Sequence, residues 1–393
     1  MSQYYEFFCP VKILAGLAAL AHLPFELTQL NASRPLLLTD NGVKSANVLA
    51  PLTQALNEGG VNIALEYSDV PPDSSFSTVK QVAAKYREYG CDAIIAVGGG
   101  SVIDTAKAVN ILVTHEADDL MRFSGSHKLT HPLKPLIIVP TTAGTGSEVT
   151  SVAVISDDIT HTKVAFSSYY LLPNVAVLDP RMTLSLPPKI TAMTAMDAMT
   201  HAIEAYTGLA HNPLSDAYAV AAIQKISTNL LTVLDNPSDS QARLALAQAS
   251  TMAGIAFSNS MVGLVHSLGH ATGAVAHLPH GQCMNIFLPH VLRYNLGMVG
   301  ERIGELLLPL AGSEVYAATP MNQRAQKVIA SIESLQQQLQ QRTGLARSLS
   351  ETERVSEGDF VAIADKALDD GSIIFNPVEA SRQDIMALLK AAY

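Results

Sequence analysis

Along the first half of the chain, short apolar runs alternate with amphipathic stretches. Pro35-Leu36-Leu37-Leu38-Thr39-Asp40 reads as a buried strand ending in a polar turn, and Val43 to Asn57 as the helix that follows it. The same alternation predicts a strand over Asn62 to Tyr67, a helix over Thr78 to Tyr89 closed by Gly90, and a strand over Asp92 to Val97. That strand runs directly into Gly98-Gly99-Gly100-Ser101, after which Val102 to Val113 is helical. Pro135 to Val139 is a further strand, ending at Pro140-Thr141-Thr142, and Ala153 to Ser156, Lys163 to Phe166 and Ala176 to Leu178 add strands. Apolar runs of about five residues mark strands buried on both faces, and helices between them imply right-handed crossovers and a mainly parallel sheet. After Asp179-Pro180 the strand-like runs stop and Ala/Met/Leu/Gln-rich helical patterns take over, opening at Ser185-Leu186-Pro187-Pro188. The pattern predicts an α/β domain with a Rossmann-like parallel sheet over residues 1–183 and an all-helical domain over residues 184–393.

Composition fits two domains of ordinary size: 393 residues, 48% hydrophobic and 15% charged. Trp is absent, so aliphatic residues and Met must fill the interior. The net charge of -10 and the lack of a dense Lys/Arg run argue against nucleic acid as a partner. An anionic cofactor stays compatible, because backbone N–H groups at a helix start can hold phosphate without side-chain charge. The three cysteines, Cys9, Cys91 and Cys283, form no CxxC pair, which points to free thiols in a reducing cytoplasm rather than a disulfide framework or a thiolate zinc site. The apolar stretch Ile13 to Leu23 follows Glu6 and has only Lys12 as a nearby cation, so it reads as a structural segment rather than an export signal. No window offers the roughly 18–20 uninterrupted apolar residues of a membrane span.

Three features of the α/β half suit a dinucleotide. Gly98-Gly99-Gly100-Ser101-Val102-Ile103-Asp104 joins a buried strand to a helix, where glycines let the backbone approach a phosphate; the GxGxxG spacing is absent, and a tight structural turn is the alternative. Thr141-Thr142-Ala143-Gly144-Thr145-Gly146-Ser147-Glu148 is rich in hydroxyls for a ribose or pyrophosphate. Asp40 stands at the carboxyl end of a parallel strand, where it can accept from a ribose hydroxyl and would repel a 2′-phosphate, favouring NAD over NADP; a helix cap is the alternative.

The helical half carries metal chemistry. Asp197 and His201 are four residues apart on one helix face, and a carboxylate buried among Met and Ile side chains needs a partner. His266 and His270 repeat that spacing, and His277 and His280 follow; at about 100° per residue, His266, His270 and His277 share a stripe, while Pro279 should end the helix and leave His280 in a turn. One metal held by Asp197, His201 and two of these four histidines is the natural reading, and spacing does not say which two. Imidazoles and a carboxylate without thiolates suit iron(II) or zinc. His22, His115, His127, His131, His161, His211 and His290 stand isolated in sequence and read as surface or capping residues.

Together, Gly98-Gly99-Gly100-Ser101-x-x-Asp104-x-x-Lys107, Pro140-Thr141-Thr142-x-Gly144-Thr145-Gly146-Ser147-Glu148, Asp197-Ala198-x-Thr200-His201-x-Ile203-Glu204, His266-x3-His270 and Pro279-His280-Gly281 resemble the iron-containing (group III) alcohol dehydrogenases, the group that includes lactaldehyde reductase and 1,3-propanediol dehydrogenase. The resemblance implies a dehydroquinate synthase-like architecture and an NAD- and metal-dependent interconversion of a small primary alcohol and its aldehyde. It implies Asp197, His201, His266 and His280 as ligands of one divalent ion, iron first and zinc second, with His270 beside them as a proton-relay or orienting residue. It places Asp40 at the position linked to NAD preference, Thr141, Thr142, Thr145 and Lys163 at cofactor contacts, and Phe257 in the substrate pocket. The chain departs from the family in having Asp73-Ser74 where many members have Asn-Pro, and no role carries over to His277. A homodimer or larger homo-oligomer is the family habit.

Two rivals stand beside this reading. A dehydroquinate-synthase-like lyase needs basic residues to grip an anionic substrate, whereas Leu264, Val265, Leu268, Ala271, Val275, Ala276 and Leu278 surround the second histidine cluster. A glycerol-dehydrogenase-like polyol oxidation is a variant of the same chemistry. The other rival, a non-catalytic metal or nucleotide binder, leaves an intact ligand set beside a complete phosphate loop unexplained.

Overall fold

The computed structural model describes residues 4–159 and 162–393; His161 lies outside the described residues. The chain forms two compact units, one over Cys9–Leu186 and the other over Pro187–Tyr393 with the described residues up to Phe8. A division near residue 183 was expected from the sequence; this one falls at Leu186–Pro187, and the stretch before Cys9 packs with the helical unit, where Phe8 N–H donates to Asn259 Oδ1 at 2.7 Å.

The first unit is α/β. Its strands are β1 (Lys12–Ala15), β2 (Pro35–Leu38), β3 (Leu65–Tyr67), β4 (Ala93–Gly98), β5 (Gly125–Ser126), β6 (Leu136–Pro140), β7 (Val152–Ser156), β8 (Lys163–Ser167) and β9 (Val175–Leu178). Its helices are α1 (Leu23–Gln29), α2 (Asn41–Ser45), α3 (Ala50–Glu58), α4 (Phe76–Glu88) and α5 (Gly100–Thr114). Six strands pair all-parallel in the order β1-β9-β6-β4-β2-β3. The inner strands are fully buried, as their unbroken apolar runs require, whereas the edge strands β1 and β3 keep exposed positions. Side chains of β2 and β4 alternate between two core clusters, Leu36, Leu38, Ile94 and Ala96 into one and Leu37, Ala93, Ile95 and Val97 into the other. Burying each such aliphatic side chain contributes about 1.5–3 kcal/mol.

One expectation is corrected here. The helix anticipated from Val43 to Asn57 is two helices, α2 and α3, because Asn47 takes a left-handed φ of 55° and Pro51 sits in the first turn of α3, where its missing N–H does no harm. The strands expected over Ala153 to Ser156 and Lys163 to Phe166 are present as β7 and β8; they form an antiparallel hairpin within a separate sheet of order β5-β8-β7.

The second unit contains α6 (Pro188–Thr207), α7 (Pro213–Asp235), α8 (Ser240–Ser258), α9 (Leu264–Ala276), α10 (His280–Glu305), α11 (Leu307–Ala318), α12 (Arg324–Thr343), α13 (Phe360–Leu368) and α14 (Arg382–Ala392), with no β-strand among its described residues. By length and composition α7 could cross a membrane, yet it packs along α6 and α8 within the bundle. The centre of α6 is buried on all sides, so the polar residues it carries there need internal partners.

Candidate active site

At the carboxyl ends of the parallel strands, register brings three predicted features side by side. Leu38 of β2 pairs with Ala96 of β4, which places Asp40 level with Gly98, and Gly98 pairs with Pro140 of β6, where Thr141 N–H donates to the Gly98 carbonyl at 3.1 Å. Gly99 caps α5, so the unpaired N–H groups and the positive dipole end of α5 open next to Gly98-Gly99-Gly100-Ser101. The glycines also bring the two loops together: a Cβ on Gly99 would stand 3.3 Å from Thr142, and one on Gly100 would stand 3.1 Å from Thr145. Gly146 adopts a left-handed φ of 62°, which turns the hydroxyl-rich loop back on itself.

Other expected cofactor contacts have protein partners. Asp40 caps α2, accepting from Val43 N–H at 2.9 Å, so the alternative reading of a helix cap describes one of its oxygens. Asp104 accepts from Val154 N–H at 3.0 Å and so engages β7. Three residues on, Lys107 is fully buried; its Nζ donates to the Thr150 carbonyl (2.7 Å), Thr150 Oγ1 (3.0 Å) and the Val152 carbonyl (2.9 Å). Burial pushes this ammonium down to about 8, and the three acceptors satisfy all its protons. Asp104 and Lys107 therefore pin the small sheet to α5. Lys163, at the start of β8, forms an exposed ion pair with Asp73 Oδ1 at 2.7 Å; Asp73 is the residue that departs from the usual Asn.

In the helical unit, Asp197, His201, His266 and His280 each offer one ligand atom, and the four atoms lie within 4.8 Å of one another. Asp197 Oδ1 is 3.3 Å from His280 Nε2, 3.9 Å from His201 Nε2 and 4.0 Å from His266 Nε2. Helical spacing on α6 supplies the first two residues. The other two come from α9 and α10, whose junction is a sharp reversal: α9 ends at Ala276, His277 takes a left-handed φ of 53°, and α10 begins at His280. His280 is thus the first residue of a helix rather than part of a turn, and His277 leaves the stripe it was expected to share, its carbonyl accepting from Arg354. The first turn of α10 abuts α6 so closely that a Cβ on Gly281 would stand 2.5 Å from the Met193 carbonyl oxygen, which accounts for glycine after His280.

Electrostatics suit a cation. Burial pushes His201 down to about 3 and His266 well below the usual imidazole value, so both rings are neutral at pH 7, the form that offers a lone pair. Burial raises Asp197, and the imidazoles facing it outweigh that, holding its carboxyl below the ordinary range. Asp197 Oδ1 and His266 Nε2 are buried without a hydrogen-bond partner. Two orphaned acceptors aimed at one point cost free energy unless a positive centre satisfies them. A carboxylate and three imidazoles form a donor set that fits iron(II) or zinc(II).

Glu204 belongs to a motif noted in the sequence, which gave it no role. It is buried one turn beyond His201, and it accepts from His266 Nδ1 (2.6 Å), Gly263 N–H (2.9 Å) and Val265 N–H (2.6 Å). It therefore caps α9 and makes Nδ1 the protonated nitrogen of His266, leaving Nε2 bare. Burial pushes its carboxyl up to about 7 against the pull of these donors. The available signal was spacing: Asp197, His201 and Glu204 lie four and seven residues apart on one face of α6. Phe257, from α8, stacks on His201 with ring centroids 4.3 Å apart. His270 stands outside the ligand group, stacked on the His280 ring at 5.2 Å, with Nδ1 2.9 Å from Asp370 Oδ2. Elsewhere His115 and His131, sixteen residues apart in sequence, bring their rings within 4.3 Å in the α/β unit, tilted by 37°.

Known proteins resemble the chain along its whole length. Residues 10–180 match the family model described as iron-containing alcohol dehydrogenase, and residues 191–393 match the C-terminal model of the same family. The chain is 36% identical over 366 residues to a 1,3-propanediol dehydrogenase of Klebsiella pneumoniae, covering 93% of this chain and 92% of the relative. It is 33% identical over 387 residues to an NAD-dependent methanol dehydrogenase of Bacillus methanolicus, covering 98% and 99%. A crystal structure of a 1,3-propanediol oxidoreductase superposes with a TM-score of 0.94 at 34% identity, covering 100% of both chains.

Proposed function

The chain belongs to the iron-containing alcohol dehydrogenase family, and on that premise we propose that Asp197, His201, His266 and His280 hold the divalent ion with which it interconverts a small primary alcohol and its aldehyde. The net reaction is RCH2OH + NAD+ to RCHO + NADH + H+. The observation that carries the assignment is the convergence of four ligand atoms within 4.8 Å, two of them buried and unpartnered. When bound, the ion supplies Lewis acidity to the alcohol hydroxyl, the effect that lowers the pKa of a bound water by roughly 9 units.

The chain's own residues do the rest. Glu204 fixes the tautomer and ring plane of His266. Phe257 braces His201 and offers an apolar wall, which suits an uncharged carbon chain. In the α/β unit, the N–H groups from Gly98 to Ser101 hold the cofactor pyrophosphate, Thr141, Thr142 and Thr145 contact it from the facing loop, and the oxygen of Asp40 not used for capping accepts from the ribose. Lys163 reaches the cofactor by exchanging its partner Asp73, and Asp104 acts indirectly, through β7. Iron(II) is the preferred ion.

The test is metal analysis of purified variants. His266→Ala and His280→Ala should each emerge without bound iron or zinc and without turnover, while His270→Ala keeps its metal and loses rate. Full metal content in both ligand variants would overturn the assignment.

We also propose that the enzyme is a cytoplasmic homodimer. Free thiols at Cys9, Cys91 and Cys283 support a reducing compartment. The unpaired edge of β1, with Ile13 and Leu17 exposed beside it, supports pairing with a second copy; a monomeric mass in solution would refute it.

A further inference from the structure

His270 raises a question that the metal site does not answer. Its side chain is nearly half exposed, and an exposed imidazole can carry its proton on either nitrogen. Stacking on His280, with 17° between the planes, sets the plane of the ring. Stacking does not choose between the two ring orientations related by a half-turn, nor between the two tautomers.

Asp370 makes both choices. It precedes the short turn Gly371–Phe375, which packs against α9. Its Oδ1 accepts from Ser372 N–H at 2.8 Å, which fixes the carboxylate, and its Oδ2 faces His270 Nδ1 at 2.9 Å. Burial raises the Asp370 carboxyl, and the His270 and Ser372 donors outweigh it and leave it at about 2. An ionised carboxylate can only accept, so the shared proton sits on Nδ1, and in a neutral ring Nε2 is then bare.

We infer that Asp370 is a positioning residue for the reaction: it holds His270 in the one orientation and tautomer whose Nε2 can take the hydroxyl proton of the alcohol. This rests on the alcohol dehydrogenase reading of the same site. In the oxidation, the O–H bond breaks as the proton joins Nε2; the electron pair left on oxygen forms the carbonyl bond, and the hydride leaves carbon for NAD+. Asp370 offsets the charge of the imidazolium until the proton passes to water.

The experiment is steady-state oxidation of n-propanol with NAD+ by the metal-loaded enzyme. Asp370→Ala should lower kcat on the order of 10- to 100-fold, the range for carboxylates that orient a histidine from behind, with KM for n-propanol and metal content unchanged. Asp370→Asn should fall between Ala and wild type, since its single carbonyl oxygen can serve His270 or Ser372 N–H but not both as before. The deciding measurement is the double variant: Asp370→Ala should slow the His270→Ala enzyme by less than about twofold, because a residue acting through another has nothing left to do. A loss as large in that background as in the wild type, or loss of metal from Asp370→Ala, would mean that Asp370 merely shapes its loop and would overturn the inference. Full turnover by His270→Ala would overturn the role of His270 itself and leave the metal assignment to stand or fall on metal content.

Discussion

The two units of this enzyme build their sites by opposite means. In the α/β unit the groups proposed to bind the cofactor are mostly backbone: glycine N–H groups at the start of α5, strand ends in parallel register, and a loop turned by Gly146. The side chains that mark its motifs largely hold the frame, as Lys107 does for β7 and Asp40 does for α2. In the helical unit the groups proposed to hold the ion are side-chain atoms, four of them on three helices, and a buried carboxylate, Glu204, fixes one of the four from behind. A backbone site is damaged by adding atoms, whereas a side-chain site is damaged by removing them.

The largest effect that would sharpen this contrast lies behind the ligands. Glu204→Gln should lower affinity for iron or zinc about 10- to 100-fold, as loss of a carboxylate behind a ligating histidine does. Competition with a chelator measures this, and unchanged affinity would show that His266 needs no fixing. Next comes addition rather than removal: Gly99→Val should raise KM for NAD+ roughly tenfold, equivalent to about 1.4 kcal/mol, because its side chain must enter the space in front of Thr142. Its metal content should be normal, and an equal loss of metal would break the comparison. The smallest effect is expected at the exposed pair of Lys163 and Asp73. Asp73→Asn should change unfolding free energy by less than about 1 kcal/mol, read from denaturant titration; a larger loss would make that ion pair part of the frame.

Much of both sites could be read from local patterns. Unbroken apolar runs predicted the inner strands, and the glycine and threonine clusters fell at their carboxyl ends because a strand ending in a turn fixes where its next residues go. Asp197 and His201 were paired by helical spacing alone. What could not be read locally was closure of the ligand set. Spacing offered four histidines between residues 266 and 280, and it grouped His277 with His266 and His270 while placing His280 in a turn. The left-handed residue at His277 reverses that grouping, ending α9 early and returning His280 to face Asp197 as the start of a new helix. Glu204 could have been found on the face of Asp197 and His201, whereas Asp370, 100 residues from His270, gives no local sign of its partner.

The amino-acid order by itself thus determined the elements, their class and the chemical type of each site, because period, apolar runs and donor chemistry are properties of neighbouring residues. Which histidines meet Asp197, and which carboxylates stand behind His266 and His270, were decided by the packing of α6, α9 and α10 and of the Gly371–Phe375 turn. Those choices depend on distances between groups far apart along the chain, and such distances exist only once the helices have closed on one another.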